Sequence, residues 1–464
     1  MLMPARFVNL DRPTPRFLPC DLREWLSAAP FVHFILDAVE QIPTAHFHVN
    51  PRGTGSEQYP PAMRLALLSY CYATGRFGAR PIEAAPHSDG AGRYLCANQH
   101  PDHASIGAFR TANQAAFQAA FVTVLQLAQH LRLTRVGTGS VDGTKIQANA
   151  RKPAAVSDQR AGELIAPWEL EVQARLTRAA QADRREAPET LDLPAELARR
   201  EDRLAALKQA RQGIEAQARE MAAARPAAHQ AKVAERQAQR EAGKKPRGPE
   251  PPPPRAGPAP QAQYPFPDPE SRILKAGNGP HLEPADHAPA AVDEAMVIVG
   301  PRLSAAPNDQ RELVATRAAL RPVVVAEVQA GLVDSGFNSA AAVHAVAQKP
   351  DGTPSGVTVY AAVEKPSQHK PGADLPPQPE PAPPDPRASA KEPMAHRLKT
   401  AGGPPRYRLR TQTVEPVLGM IKEGMGFRRF RLRGRAKAAL EWTLVCLSYN
   451  LKRMCTLKNL VAAG

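Results

Sequence analysis

Apolar residues recur at helical spacing through most of the first 130 residues. The segments MRLALLSYCYATG (63–75) and FQAAFVTVLQLAQHL (117–131) each place apolar side chains on one helical face. Pro60 and Pro61 stand where a helix can begin, because a proline at the first helical position loses no hydrogen bond. The pattern predicts an all-α amino-terminal domain over residues 1–130.

The pattern changes at residues 135–150, RVGTGSVDGTKIQANA, where glycines flank short apolar residues and no helical stripe is present. This predicts the first strand of a core, over residues 131–158. Residues 159–245 are rich in Ala, Arg, Glu and Gln. A narrow apolar seam runs through them at three-and-four spacing, formed by Leu197, Leu204, Leu207, Ile214, Ala218 and Met221. We expect a coiled-coil-like helical insert that serves as a scaffold or partner contact, or alternatively reads DNA.

Two proline-rich segments follow. Eleven prolines lie between Pro246 and Pro269, and nine between Pro366 and Pro386. Proline lacks the backbone donor that a helix interior or a central strand requires, so such segments favour extended chain. They predict linkers over residues 246–269 and 366–400.

Between the linkers, strand and helix patterns alternate. Strands are predicted over residues 288–292, 296–304, 330–337 and 356–363, and helices over 308–320 and 339–348. After the second linker, within residues 401–464, helices are predicted over 415–425 and 435–454. With the strand of residues 135–150 placed first, the order is three strands, helix, strand, helix, strand, helix. It is typical of an α/β ribonuclease H-like core, continued over residues 270–365 and interrupted after its first strand by the helical insert.

The net charge of the chain favours a polyanionic partner. The 464 residues include 60 Lys and Arg against 45 Asp and Glu, a formal net charge of +15, which favours nucleic acid, although a generally basic soluble protein is the alternative. The five cysteines contain no CxxC pair, as expected in a reducing cytoplasm. We find no apolar run of membrane-spanning length and no secretory signal pattern, which predicts a soluble intracellular protein without a membrane partner.

Three acidic residues stand at positions suited to metal chemistry. Asp142 lies in the strand-like SVDGTKI, Asp334 at the end of the strand GLVDSGF, and Glu415 in TVEPVLGMIK, where Pro416 indicates the first turn of a helix. Taken singly, each has a structural explanation: an Asp-Gly turn, a helix cap, or a favourable interaction with the helix dipole. Brought together by the fold, they would hold two Mg²⁺ or Mn²⁺ ions, as phosphodiester cleavage requires.

The densest basic run in the chain follows the third acid. Residues 406–437 contain ten Arg or Lys against Glu415 and Glu423, with Phe427 and Phe430 interleaved. Lys and Arg contacts to phosphate give affinity for DNA without sequence preference. DNA binding is therefore predicted for Lys422, Arg428, Arg429, Arg431 and Arg433. Lys422 is two helical turns beyond Glu415 and is expected on the same face. A solvated basic face is the alternative.

These motifs resemble those of DDE transposases from bacterial insertion sequences, within the superfamily that includes the insertion-sequence five elements. The resemblance extends through nearly the whole chain, and TVEPVLGMIKEGMGFRRFRLRG followed by EWTLVCLSYNLKRM is its most specific part. It implies a catalytic triad of Asp142, Asp334 and Glu415. It also implies contacts of Tyr407, Arg410 and Lys422 with the DNA end, and DNA binding by the amino-terminal domain of residues 1–130.

The resemblance further implies metal-dependent cleavage and strand transfer at the inverted-repeat ends of an element in double-stranded DNA. Water and then a liberated 3′-hydroxyl would attack phosphorus in line, without a covalent protein intermediate. A homodimer in the bacterial cytoplasm, associated with the nucleoid, would join two ends. Two alternatives stay open: a decayed transposase that only binds DNA and acts as a repressor, and a scaffold that works through the helical insert.

Overall fold

The structure is a computed structural model of the 464-residue chain. It describes residues 21, 24–26, 30–49, 58–135, 137–150, 155–182, 193–241, 249–250, 253, 257–258, 262–275, 281–304, 312–319, 328–334, 336, 343, 345–346, 353, 355–362 and 391–463. The chain divides into two compact units, Met1–Leu133 with Leu447–Gly464, and Thr134–Cys446. Within the described residues, no helix is both long enough and apolar enough to cross a membrane.

The first unit is built from helices. They are α1 (Pro30–Glu40), α2 (Pro61–Ala73), α3 (Ala79–Ser88), α4 (Gly90–Leu95), α5 (His103–Ala112) and α6 (Gln114–His130), joined by the carboxy-terminal part of a long helix, α12 (Arg435–Ala463). The two segments with predicted helical spacing correspond to α2 and α6. Helix α2 begins at Pro61, as the proline pair predicts.

One buried cation organises the core of the first unit. The Arg110 side chain, in α5, donates to the Tyr72 hydroxyl at 2.8 Å and to the Phe77 carbonyl oxygen at 2.8 Å. A buried charge is costly unless its polar atoms are bonded, so these two contacts tie α5 to the end of α2 and the turn after it. Around them pack fully buried apolar side chains, among them Phe117 and Phe121 of α6.

The second unit combines a mixed sheet with helices. Its strands are β1 (Thr138–Gln147), β2 (Ala155–Ser157), β3 (Gln263–Pro265), β4 (Arg272–Lys275), β5 (Leu282–Val292), β6 (Ile298–Pro301), β7 (Ala330–Val333) and β8 (Thr358–Ala361). Its helices are α7 (Asp158–Ala182), α8 (Leu193–Glu241), α9 (Glu312–Ala319), α10 (Lys391–Lys399) and α11 (Gly403–Gly419), with the first part of α12. The protein is therefore a mixed α/β protein.

The main sheet has the order β4, β5, β1, β7, β8, with β6 also paired to β5. Strand β5 is antiparallel to β1, and β4 and β6 pair antiparallel with opposite ends of β5. Strands β1, β7 and β8 are parallel. The central strand β1 is thus flanked by β5 on one side and β7 on the other. The predicted strands of residues 135–150, 296–304, 330–337 and 356–363 correspond to β1, β6, β7 and β8.

Strand β5 is longer than its sequence pattern predicts. The apolar pattern marks residues 288–292, whereas the strand begins at Leu282 and includes Asp286 and His287. Both polar side chains are buried, at 3% and 5% exposed. The predicted helix of residues 339–348 lies largely outside the described residues.

Helices α7 and α8 pair along the insert predicted for residues 159–245. The Glu169 carboxylate in α7 forms an ion pair with Lys208 in α8 at 2.7 Å. One end of the pair is covered by the small sheet of β2 and β3, because Tyr264 of β3 packs against α8 so closely that a Cβ on Gly213 would lie 2.3 Å from its ring. The buried cluster there consists of Val156, Ala161, Leu207, Ala210, Ile214 and Tyr264.

Parts of both proline-rich segments belong to regular structure. Strand β3 falls within residues 246–269, and α10 falls within residues 366–400. Residues 363–390 lie outside the described residues, as do several between 242 and 261. Proline at position 265 is compatible with β3 because it stands at the last residue of a strand in a two-stranded sheet.

A cluster of charged side chains is buried beside β5. Burial raises the pKa of Asp286 to about 7, and the neighbouring Asp268 carboxyl raises it further, while Arg435 and Arg272 oppose the shift. A carboxyl whose pKa is raised by folding contributes stability that is fully present below its unfolded pKa and is lost as pH rises through the folded value. Asp286 therefore makes the protein less stable above about pH 7 than near pH 4.

Asp286→Asn is expected to remove this pH dependence. Its free energy of unfolding should vary less than that of the wild type between pH 4 and 7, by on the order of 3 kcal/mol. Denaturant unfolding over this range measures the difference. The control is Asp202→Asn, the same change at an exposed position of α8, which should leave the profile unaltered. A variant that follows the wild-type profile would show that Asp286 is not the titrating group.

Candidate active site

Two of the three predicted acids meet at the centre of the sheet. Strands β1 and β7 are parallel, and their register pairs Val141 with Val333. Asp142 directly follows Val141 and Asp334 directly follows Val333, so the two aspartates lie side by side. Parallel strands bring residues that are distant in sequence to one edge, and here this places both carboxylates together.

Helix α11 packs against these strands and carries the remaining polar groups. The Thr413 hydroxyl donates to the Ser140 hydroxyl oxygen at 2.8 Å, and both side chains are buried. The Tyr407 hydroxyl donates to the Val333 carbonyl oxygen at 3.3 Å. Tyr407, Arg410 and Thr413 are spaced by three residues and share one helical face. That face is turned toward β1 and β7.

Arg410 connects all three acids. Its Nη1 lies 3.2 Å from Asp142 Oδ2, and its Nη2 lies 2.7 Å from Glu415 Oε1 and 4.0 Å from Asp334 Oδ1. The structure therefore brings Asp142, Asp334 and Glu415 around one guanidinium, although they are remote in the sequence. Arg410 was predicted to contact the DNA end, and here its partners are the carboxylates.

The site is enclosed on the arginine side and open on the acid side. The Arg410 side chain is 11% exposed, against 44% for Asp334 and 46% for Glu415. Burial alone lowers the pKa of Arg410, but the charged carboxylates of Asp142, Asp334 and Glu415 and the nearby Tyr407 phenol together raise it above its usual value. Burial also raises the pKa of Tyr407. At neutral pH, Arg410 is therefore charged and Tyr407 is neutral.

The prediction that Glu415 lies in the first turn of a helix is wrong. Helix α11 begins at Gly403, and Glu415 lies near its carboxy-terminal end, with Pro416 inside the helix. Pro404 and Pro405 provide the amino-terminal proline signal that was assigned to Pro416, since they occupy the first helical turn. The longer helix carries Tyr407, Arg410 and Glu415 on one rigid element.

A π-helical turn, Met420–Gly424, follows α11 and contains Lys422. The Met425 N–H donates to the Met420 carbonyl oxygen at 2.8 Å, which is the wider spacing of a π-turn. The prediction that Lys422 shares a helical face with Glu415 assumed regular α-helical spacing, and the π-turn interrupts that spacing between the two residues. Burial lowers the pKa of Lys422, Arg428 lowers it further, and Asp142 is among the acids that oppose this shift. Lys422 therefore lies close enough to Asp142 for their charges to interact.

The phenylalanines of the basic run belong to the core. Phe427 and Phe430 are fully buried, with ring centroids 5.5 Å apart, and Phe427 packs on Trp442 of α12. They anchor the backbone between them. Residues 428–433, which we call the basic segment, expose the side chains of Arg428, Arg429, Arg431 and Arg433.

The same segment runs beside the end of β1. The Gln147 N–H donates to the Arg428 carbonyl oxygen at 3.1 Å, and the Phe430 N–H donates to the Gln147 carbonyl oxygen at 2.9 Å. The Arg429 guanidinium donates to Gln147 Oε1 at 2.8 and 3.1 Å, and the Arg433 guanidinium donates to the Asn149 carbonyl oxygen at 3.2 Å. Strand β1 therefore contains Asp142 and, at its end, binds the basic segment through hydrogen bonds.

Glu441 secures this segment from the other side. It is fully buried in α12, and its Oε2 accepts the N–H groups of Arg431 at 2.8 Å and Leu432 at 3.0 Å. Sequence reasoning did not single out Glu441, Ser140, Gln147 or Thr413. The polar positions in IQANA were the available signal for Gln147, but their partners are set only by the tertiary fold.

The three carboxylates match the oxygen ligands that Mg²⁺ and Mn²⁺ prefer. Their charge of −3 is only partly offset by Arg410, which leaves the group attractive to divalent cations. Among the described residues, no three acidic, histidine or cysteine side chains are close enough to form a compact metal-binding group. The donors therefore fit such an ion by type, while the Arg410 guanidinium lies where they converge.

Comparison with known proteins gives one match. The family model described as a transposase DDE domain matches residues 383–455. This part of the chain contains α10, α11, the π-turn, the basic segment and much of α12, and thus Glu415, Arg410 and Lys422. Asp142 and Asp334 lie outside it. No curated protein and no solved structure matches the chain. The family match supports a DDE transposase.

Proposed function

We propose that the protein is a DNA transposase that cleaves DNA strands and joins them at the inverted-repeat ends of a bacterial insertion sequence. The observation that carries the proposal is the meeting of Asp142, Asp334 and Glu415 around Arg410. The family match supports it independently, because it covers the helix that carries Glu415.

The sheet supports a ribonuclease H-like core. Taken in chain order, the five strands β1, β5, β6, β7 and β8 pair so that the first is central, the second and third lie antiparallel on one side, and the last two lie parallel on the other. The two helices α7 and α8 come between the first and second of these strands, which is consistent with a helical insert.

The chemistry follows from the acids. Asp142, Asp334 and Glu415 would hold two Mg²⁺ or Mn²⁺ ions, and such ions activate a water or 3′-hydroxyl and stabilise the leaving oxygen. Strand β1 and helix α11 keep the carboxylates in place through the bond between Thr413 and Ser140. In the proposed reaction, water and then a liberated 3′-hydroxyl would attack phosphorus in line, without a covalent protein intermediate.

The basic segment would hold the DNA. Arg428, Arg429, Arg431 and Arg433 present exposed cations beside the strand that carries Asp142, and Lys422 lies within the field of that acid. Contacts of this kind bind the phosphate backbone without reading bases. We expect double-stranded DNA to lie across this segment with its cleavable end at the acids, and a homodimer to hold two ends.

A second candidate function is DNA binding without cleavage, by an inactive transposase that acts as a repressor. The observation that favours it is Arg410, because a guanidinium among the acids occupies space that metal ions require. The two functions differ in one measurable product, a cut strand.

The test uses the full-length protein and a labelled duplex that carries the DNA flanking its gene. Incubation with Mg²⁺ or Mn²⁺ is expected to release a fragment with a free 3′-hydroxyl, whereas EDTA should abolish cleavage and leave binding measurable. Binding without cleavage in either metal would support the repressor. Absence of both binding and cleavage would contradict the proposal altogether.

A further inference from the structure

The cation of the acid site is a side chain of the protein itself. Arg410 lies within ion-pair distance of three carboxylates and is less exposed than Asp334 and Glu415. Carboxylates held close together repel one another, and a cation between them relieves that repulsion. A divalent cation would relieve it in the same way, through the same oxygen atoms.

We infer that Arg410 is the counterion of the ion-free acid site, that divalent cations displace it, and that its released guanidinium then binds a DNA phosphate. The inference rests on the proposed function and assigns Arg410 two successive partners. Both partners present oxygen anions, and a guanidinium can bind either kind with two parallel hydrogen bonds.

The contacts of Arg410 permit such an exchange. Its Nε has no hydrogen-bond partner within the part of the chain that the structure describes. The acids and the neighbouring Tyr407 therefore hold the guanidinium. Because the side chain is long, the guanidinium can turn toward solvent on the open side of the site once metal ions have taken its place. The bond between Thr413 and Ser140 keeps α11 on the sheet independently of Arg410. The exchange therefore requires a change of side-chain conformation and leaves the backbone in place.

The exchange couples two binding events. If divalent cations displace Arg410 and the freed guanidinium binds phosphate, then cations strengthen DNA binding and DNA strengthens cation binding by the same factor. The protein would thus hold DNA more tightly once its acids are loaded.

The first experiment measures Mn²⁺ binding to the full-length protein without DNA, by electron paramagnetic resonance of the free ion. Arg410→Gln is expected to bind Mn²⁺ about tenfold more tightly than the wild type, the low end of the effect of one charge a few ångströms away in a partly exposed site. The matched control is Arg408→Gln, which removes the same charge from an exposed position of α11. It should change the affinity by less than about twofold, because solvent screens exposed charges.

Arg410→Lys keeps the protein testable if the glutamine variant does not fold. A lysine ammonium is a point charge and cannot bridge three acids as a guanidinium does, so this variant should bind Mn²⁺ more tightly than the wild type but less tightly than Arg410→Gln. Unchanged or weaker Mn²⁺ binding in the folded variants would overturn the inference.

The second experiment measures DNA binding with Ca²⁺ or with EDTA. Ca²⁺ should increase the affinity of the wild type for duplex DNA several-fold and that of Arg410→Gln by a smaller factor, because the variant keeps the neutralisation of the carboxylates but has no guanidinium to release. Equal affinities of the wild type in the two conditions would overturn the release step.

Asp142→Asn separates this inference from the proposed function. The variant should lose Mn²⁺ binding if the acids hold the ion. Wild-type protein without any Asp142-dependent Mn²⁺ binding would contradict the proposed function itself. Asp142-dependent binding that Arg410→Gln leaves unchanged would contradict only the role of Arg410.

Discussion

Asp142→Asn is expected to slow DNA-strand cleavage on the order of 10³-fold, because it removes a carboxylate oxygen from the group that would hold the metal ions. Each factor of ten in rate corresponds to about 1.4 kcal/mol of transition-state stabilisation, and metal ions contribute several kcal/mol to phosphodiester cleavage. Asp142 is the least exposed of the three acids, with its side chain 22% exposed. It also lies on the central strand of the sheet.

In the absence of divalent cations, the same variant should bind DNA at least as tightly as the wild type, since it removes a negative charge that faces phosphate. Gel-based cleavage assays in Mn²⁺ and filter binding measure the two properties. Asp37→Asn, an exposed acid of α1, serves as the matched control and should retain both. Cleavage by Asp142→Asn within threefold of the wild-type rate would remove Asp142 from the catalytic group.

Glu441→Ala is expected to lower the free energy of unfolding by about 3 kcal/mol. The substitution removes the acceptor of two backbone N–H groups and leaves a void in α12 where the side chain is fully buried. Glu441→Gln keeps an acceptor oxygen of similar shape and should lose about 1 kcal/mol. Urea unfolding of the two variants and the wild type measures the difference.

A second readout links Glu441 to the basic segment. Because its carboxylate holds the backbone of Arg431 and Leu432, the alanine variant should present its arginines less regularly. Its DNA affinity should then depend less steeply on salt concentration than that of the wild type. Glu441→Ala with wild-type stability and an unchanged salt dependence would show that this carboxylate does not support the segment.

Much of the fold could be predicted because local patterns carry it. Helices α2 and α6 of the first unit and strands β1, β6, β7 and β8 follow from the spacing of apolar residues, which depends only on which face of an element is buried. The start of β5 could not be predicted, since Asp286 and His287 are buried polar residues in a strand and interrupt the apolar pattern. Similarly, Pro416 and the pair Pro404 and Pro405 give the same local signal for a helix start, and only the tertiary structure shows that α11 begins at Gly403, beside the earlier prolines.

The candidate site divides in the same way. The three acids were selected because one lies within a predicted strand, one at the end of a predicted strand and one at a predicted helix start, and the structure brings these residues together. Their attachment to Arg410 could not be predicted, because ion pairs between β1, the end of β7 and α11 depend on the relative placement of three elements. The resemblance assigned Arg410 to DNA, and only distances between side chains show its contact with the acids.

The separation of β1 from its partners along the chain also has a consequence for synthesis. β1 is made early, but its neighbours β5 and β7 and the helix α11 emerge from the ribosome much later, after the insert of α7 and α8. Contacts so distant in sequence cannot form until both participants exist. A nascent chain that has not yet reached Glu415 therefore lacks one of the three carboxylates around Arg410, and the proposed site is assembled only after α11 has been synthesised.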